Sequence, residues 1–194
     1  MRYDSEHKQR TRERLLKAAA KAIRRDGAEK VGVAAVMAEA GLTHGGFYAH
    51  FKSRDELVAE GVAQMFRESR EKLANSVAGR TPAQGLAEYI GFYLSPEHRD
   101  SRTSGCPLPF LGADAPRLPE AARARFAAGV KGLEDAIAGL LGEMGWSDPE
   151  AEAGSLVAEL VGALSLARAE PDPVRSDQML RRSRDRLIRR FALA

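Results

Sequence analysis

One cysteine, Cys106, stands in 194 residues, so no internal disulfide and no zinc site built on two or more thiolates of one chain is open to this sequence. Histidine is almost as sparse: His7, His44, His50 and His98 share no metal-ligand spacing, and neither a metal nor a cofactor is expected. Long apolar runs are lacking too. The longest, Leu156 to Ala167, is broken by Glu159 and is too short for the roughly 30 Å of a bilayer core, which speaks against a membrane span. The opening MRYDSEHKQRTRERLL holds no apolar core or small-residue cleavage site, so a cytoplasmic location is expected. Also missing are a glycine-rich phosphate loop, a G-x-S-x-G elbow, a His and carboxylate pair at catalytic spacing and a Cys-x-x-Cys, which argues against an enzyme.

What is present is the composition of a globular protein: 44% hydrophobic and 29% charged residues exclude the disordered and low-complexity classes. The net charge of +3 is unevenly placed. Residues 1–60 carry 12 Lys and Arg against 9 Asp and Glu, whereas the rest carry 18 of each, so the whole excess is N-terminal. Within residues 1–30 ten basic residues, from Arg2 and Lys8 to Arg24, Arg25 and Lys30, face five acids, a balance suited to a polyanionic partner.

Hydrophobic residues recur at helical spacing in nearly every segment, and no run of alternating β-branched residues occurs, so the fold is read as all-α. Helix one spans about 5–25, with Leu15, Leu16, Ala19, Ala20 and Ile23 inward and a basic outer face. Two short helices, about 33–40 and 44–50, meet at Gly41, with Thr43 placed to cap the second. Ser53 and Glu56 form a capping box that opens a long helix. All nine prolines lie at or after Pro82, where Thr81 and Gln84 form another capping box and a new group of helices begins. The first of these helices is expected over about 81–94, followed by a polar loop through Ser104, with His98, like His7, at the surface. A core helix follows at about 123–144, then helices near 148–168 and 174–192, the former opened by a capping box of Ser147 and Glu150.

Two short helices around a glycine turn, beside the only basic excess in the chain, fit a helix-turn-helix whose second helix enters the major groove. The stretch VAAVMAEAGLTHGGFYAHFKSRDEL, Val33 to Leu57, closely resembles the DNA-binding signature of the tetracycline-repressor (TetR) family of bacterial regulators. The resemblance covers about residues 8–60. It implies an N-terminal three-helix DNA-binding domain (1–52) joined by a long helix to a helical effector-binding and dimerisation domain (53–194), about nine helices in all. It also implies a homodimer on double-stranded operator DNA, most often a repressor released from a pseudo-palindromic site by a small-molecule effector.

Transferred position by position, the resemblance makes 44–50 the recognition helix. Thr43 and His44 become candidates for base-edge or phosphate contact, and Gly45 and Gly46 allow close backbone approach. Tyr48, His50, Lys52 and Arg54 fall on the family's phosphate-binding run, with Arg54 where Lys is usual. Gly32 stands where Ser or Thr usually caps the scaffold helix. Phe47 and Phe51 are expected in the core.

The effector pocket is expected among Met65, Phe66, Tyr89, Phe92, Tyr93, Cys106, Phe110, Leu111 and Phe126, where helix bundles place ligands. The Gly-Cys-Pro segment at 105–107 resembles one in a subset of the family that senses oxidants or electrophiles through cysteine. Modification of Cys106 is therefore an alternative signal, and a helical protein-interaction adaptor the more remote one. Leu156, Val157, Leu160, Val161, Leu164, Leu180, Leu187 and Ile188, on the last two helices, are expected at the dimer interface.

Overall fold

The computed structural model describes residues 2–193, with the side chains of residues 6–43 and 45–193. Among these residues it is helical throughout, without a strand. The α-helices in chain order are α1 (Arg2–Asp26), α2 (Val33–Glu39), α3 (Arg54–Val77), α4 (Pro82–Tyr93), α5 (Pro96–Asp100), α6 (Leu108–Leu111), α7 (Glu120–Glu143), α8 (Pro149–Ala169) and α9 (Pro173–Arg190). Short 3₁₀ turns occupy Ala28–Lys30, His44–Ala49 and Ala115–Arg117.

The helix ends follow from local chemistry. Thr81 and Gln84 form the expected reciprocal capping box at the start of α4. At α8 the cap is Asp148, whose carboxylate accepts from Ala151 N–H, and not Ser147; Pro149 then takes the first helical position, where its missing N–H costs nothing. The expected polar loop after Leu94 contains α5, capped by the Ser95 hydroxyl and again led by a proline. His98 is accordingly not a surface residue. It is buried, its Nδ1 2.8 Å from the Tyr93 carbonyl and its ring stacked on Phe92.

Two compact units result, Met1–Arg67 with Arg102–Gly129, and Glu68–Ser101 with Val130–Ala194. In the first, Leu15, Ala19, Ala20 and Ile23 of α1 are buried together with Val36, Met37, Phe47, Phe51, Leu57, Val58 and Val62. In the second, α8 and α9 form an antiparallel pair joined by a tight turn around Pro171, with α4 and α5 also packed on them. There Arg99 ties α5 to α9 through Ser176 Oγ (2.8 Å) and Asp177 Oδ1 (2.6 Å), and Arg168 of α8 donates to the carbonyls of His98 and Arg99 at 3.0 Å each. No helix among the described residues is long and apolar enough to cross a membrane.

Candidate nucleic-acid interface

The turn between the two short helices is a complete Schellman motif. Leu42 N–H donates to the Met37 carbonyl and Gly41 N–H to that of Ala38, both at 2.9 Å, with Gly41 at φ 70°, where a side chain would be strained. The second element, His44–Ala49, is a 3₁₀ turn and not the α-helix expected over 44–50. Two consecutive glycines, each costing about 1 kcal/mol of helix propensity against alanine, account for the tighter winding over so short a run. Gly32 leads α2 without a side-chain cap, and the Thr43 hydroxyl makes no capping bond either, so it stays exposed at the head of the 3₁₀ turn.

Phe47 and Phe51 anchor the turn. Both are buried, with their rings stacked at 5.7 Å. Tyr48, held edge-on against Phe47, is 74% exposed, the most exposed large side chain among the described hydrophobic residues. Thr43, Gly45 and Lys52 are exposed, and Gly46 and His50 half-buried, so the segment offers one accessible stretch of hydroxyl, bare backbone, phenol and ammonium groups. The His44 side chain lies outside the described residues. Lys52 N–H donates to Glu56 Oε2 at 2.6 Å and Glu56 N–H to the Ser53 hydroxyl at 3.1 Å, the capping arrangement that starts α3 and leaves the Lys52 ammonium outward.

Two residues behave otherwise than their types suggest. Arg54, expected on phosphate, commits its guanidinium to main-chain carbonyls of the α1–α2 link: Val31 at 2.9 Å, Ala28 at 2.7 Å and Glu29 at 2.6 Å. His50 has a buried Nδ1 with no partner among the described residues, and burial together with the cations Lys8 and Arg12 lowers its pKa below the usual value. Its surroundings therefore favour the neutral imidazole over the imidazolium.

Around this segment the basic face of α1 is real but partly spent. Lys8, Arg10, Arg14 and Lys17 are exposed. Lys21 pairs with Glu39 of α2 at 2.9 Å, and Arg25 approaches the same carboxylate at 3.6 Å, which locks the orientation of α2 on α1. Arg24 is buried, donating from Nε to the Gly105 carbonyl at 3.0 Å. Arg12, which no motif singled out, donates from Nη1 to the His50 carbonyl at 2.5 Å and lies 4.5 Å over the Phe51 ring. No spacing rule could have marked it, because its partner lies 38 residues away in sequence.

The residues expected to line an effector pocket divide between the units. Met65, Phe66, Cys106, Phe110, Leu111 and Phe126 belong to the first and Tyr89, Phe92 and Tyr93 to the second. In the first, Phe66 meets Phe126 edge-on at 5.4 Å, a contact of ordinary core packing. Three cavities within the units, of about 530, 720 and 300 Å³, take in one of the nine, Phe92, which lines the 720 Å³ cavity. Of the residues expected at a dimer interface, Leu156, Val157, Leu160, Leu164, Leu180 and Leu187 are buried inside the chain itself, and Val161 and Ile188 half-buried. Along its length α8 leaves Ser155, Ala158 and Leu166 exposed, the last at 61%, as well as Glu150, Ala151 and Ala169 near its ends.

Residues 15–60 match the family model described as bacterial regulatory proteins, tetR family. Solved structures align over nearly the whole chain. The reduced form of NemR from E. coli has a TM-score of 0.80 at 20% identity, covering 92% of this chain and 96% of that one. A TetR-family transcriptional regulator from Agrobacterium tumefaciens aligns with a TM-score of 0.75 at 24% identity, over 92% and 98% of the two chains. A TetR transcriptional regulator from Chloroflexus aurantiacus has a TM-score of 0.77 at 22% identity, over 94% of each. No curated protein sequence matches the chain.

Proposed function

We propose that this chain is a cytoplasmic repressor of the tetR family of bacterial regulatory proteins that binds a pseudo-palindromic operator as a homodimer and is released by a small-molecule effector. The family match and the all-helical fold support DNA-binding regulation of transcription. The observation that carries the reading is the exposed Tyr48 on a turn anchored by two buried phenylalanines. A phenol held out at 74% exposure on a rigid support packs only by its edge contact with Phe47, which leaves the hydroxyl in solvent, and it lies four residues from Lys52 in the unit that holds the chain's basic excess.

In this reading Thr43 and His44 approach base edges, Gly45 and Gly46 let the backbone come close, and Tyr48, His50 and Lys52 take phosphates. Arg54 serves as a positioning residue that fixes the α1–α2 link. The second copy sits against the outward face of α8 and α9, with Leu166 and Ala158 at its centre; the buried leucines hold the two helices to each other. Release by a bound small molecule is favoured over modification of Cys106, because the thiol is only 3% exposed.

Fluorescence anisotropy with the duplex upstream of the chain's own gene, against a scrambled duplex and across a salt series, tests this. Binding that prefers the upstream duplex, falls steeply with salt and weakens at least tenfold in Tyr48→Ala supports the reading. Equal binding of both duplexes by wild type and variant counts against it.

A further inference from the structure

Beyond the recognition turn, the first unit holds a line of alternating charge that joins α7 to the DNA-facing segment. Arg125, on the second turn of α7, donates from Nη2 to Glu60 Oε1 at 2.8 Å. The other oxygen of the same carboxylate, Oε2, faces Arg12 Nη2 at 4.0 Å, and the second arm of the Arg12 guanidinium holds the His50 carbonyl at 2.5 Å. His50 closes the recognition turn: its own N–H and that of Phe51 both donate to the Phe47 carbonyl, at 2.9 and 3.0 Å. Four segments distant in sequence are thus joined by two guanidinium groups sharing one carboxylate.

The apolar packing beneath is stiff. Phe126, next to Arg125, meets Phe66 edge-on, and a Cβ on Gly129 would lie 2.2 Å from the Phe66 ring, so α7 crosses α3 too closely to slide without displacing that ring. A shift of the first turns of α7 is therefore felt at Glu60, about 1.7 helical turns along α3 from Phe66.

We propose that Glu60 is a positioning residue that, shared between Arg125 and Arg12, sets where the recognition turn sits according to the placement of α7. With Arg125 engaged, the carboxylate stands between two cations and Arg12 is free to grip the His50 carbonyl. With Arg125 withdrawn, Glu60 belongs to Arg12 alone and draws the guanidinium away from that carbonyl. The consequence for DNA affinity rests on the function proposed above; the consequence for the turn itself does not.

Hydrogen exchange of the full-length protein, free of DNA, reads the His50 and Phe51 amides directly. Arg125→Met is expected to speed their exchange about threefold to tenfold, Glu60→Gln to leave it at the wild-type rate, the double variant to return to that rate because no carboxylate remains to draw Arg12 away, and Arg125→Lys to keep the wild-type rate. The melting temperature should move by less than about 2 °C, since the ion pairs are at the surface, so general loosening is separable from the local effect. Unchanged exchange in Arg125→Met, or a double variant that exchanges as fast as Arg125→Met alone, overturns the proposal. Absence of salt-dependent DNA binding by the wild-type protein would instead overturn the functional reading and leave the exchange result standing.

Discussion

Arg54 holds Ala28. The Nη2 donor at the first turn of α3 reaches the Ala28 carbonyl at 2.7 Å and that of Glu29 at 2.6 Å, while Nε reaches Val31 at 2.9 Å. A single guanidinium thereby satisfies three carbonyls along the link from α1 to α2, and fixes the angle at which the scaffold helix leaves α1.

Replacing Arg54 by methionine keeps the apolar stem and removes the bonds. Stability should fall by about 1–3 kcal/mol, the range for hydrogen bonds from a charged donor. DNA affinity should fall with it, while the slope of log affinity against log salt stays at the wild-type value. A slope shallower by about 0.9 would instead reveal a lost phosphate contact. Urea unfolding and a salt series on the same variant separate the two.

Tyr48→Phe tests the exposed phenol. The ring's contact with Phe47 survives, so the melting temperature should hold within about 1 °C, while loss of one hydroxyl bond to DNA should weaken binding about threefold to tenfold. Equal affinity of variant and wild type would remove Tyr48 from the interface.

His50 makes stability depend on pH in a defined direction. Burial, then Lys8 and Arg12, lower its pKa in the folded state, so between the ordinary value near 6.5 and the lower folded value the unfolded chain binds more protons. Its contribution to stability is therefore present above pH of about 6.5 and lost as the pH falls through that window. An NMR titration of the imidazole should give a midpoint below the ordinary value, and His50→Gln should flatten that part of the stability profile.

The sequence made much of this legible, for identifiable reasons. Phe47 and Phe51 in the core, Gly41 at positive φ and the Thr81–Gln84 box are local signals, fixed by residues within a few positions of each other. The short 3₁₀ turn at His44–Ala49 was hidden, because glycine pairs weaken a helix without saying what replaces it. His98 was misplaced because its burial depends on Tyr93 and Phe92 folding back over a five-residue helix. The commitments of Arg12, Arg24 and Arg54 were equally invisible: each reaches a carbonyl more than twenty residues away, and any exposed arginine on a basic face looks the same in sequence.

The last two helices give a further check. Leu166 points outward at 61% exposure, whereas Leu160 is buried within the chain. Leu166→Glu should yield a folded monomer by sedimentation at micromolar concentration. Leu160→Glu should unfold the protein, since it leaves a carboxylate without a partner in the core. A dimer that persists in Leu166→Glu would place the contact elsewhere.

Cys106 should react slowly. At 3% exposure, its modification by a water-soluble disulfide reagent under native conditions is expected to be at least about a hundredfold slower than in denaturant, limited by local opening. Rapid stoichiometric reaction of the native thiol would revive it as a signal site.

The central claim, sequence-specific recognition of DNA by a two-fold dimer, is tested most directly by selecting bound duplexes from a random pool with the purified protein. The account predicts enrichment of one pseudo-palindromic sequence, its half-sites one helical turn or a multiple apart, and loss of that enrichment in Tyr48→Ala. A pool that stays unenriched, or a motif enriched equally by the variant, would contradict it.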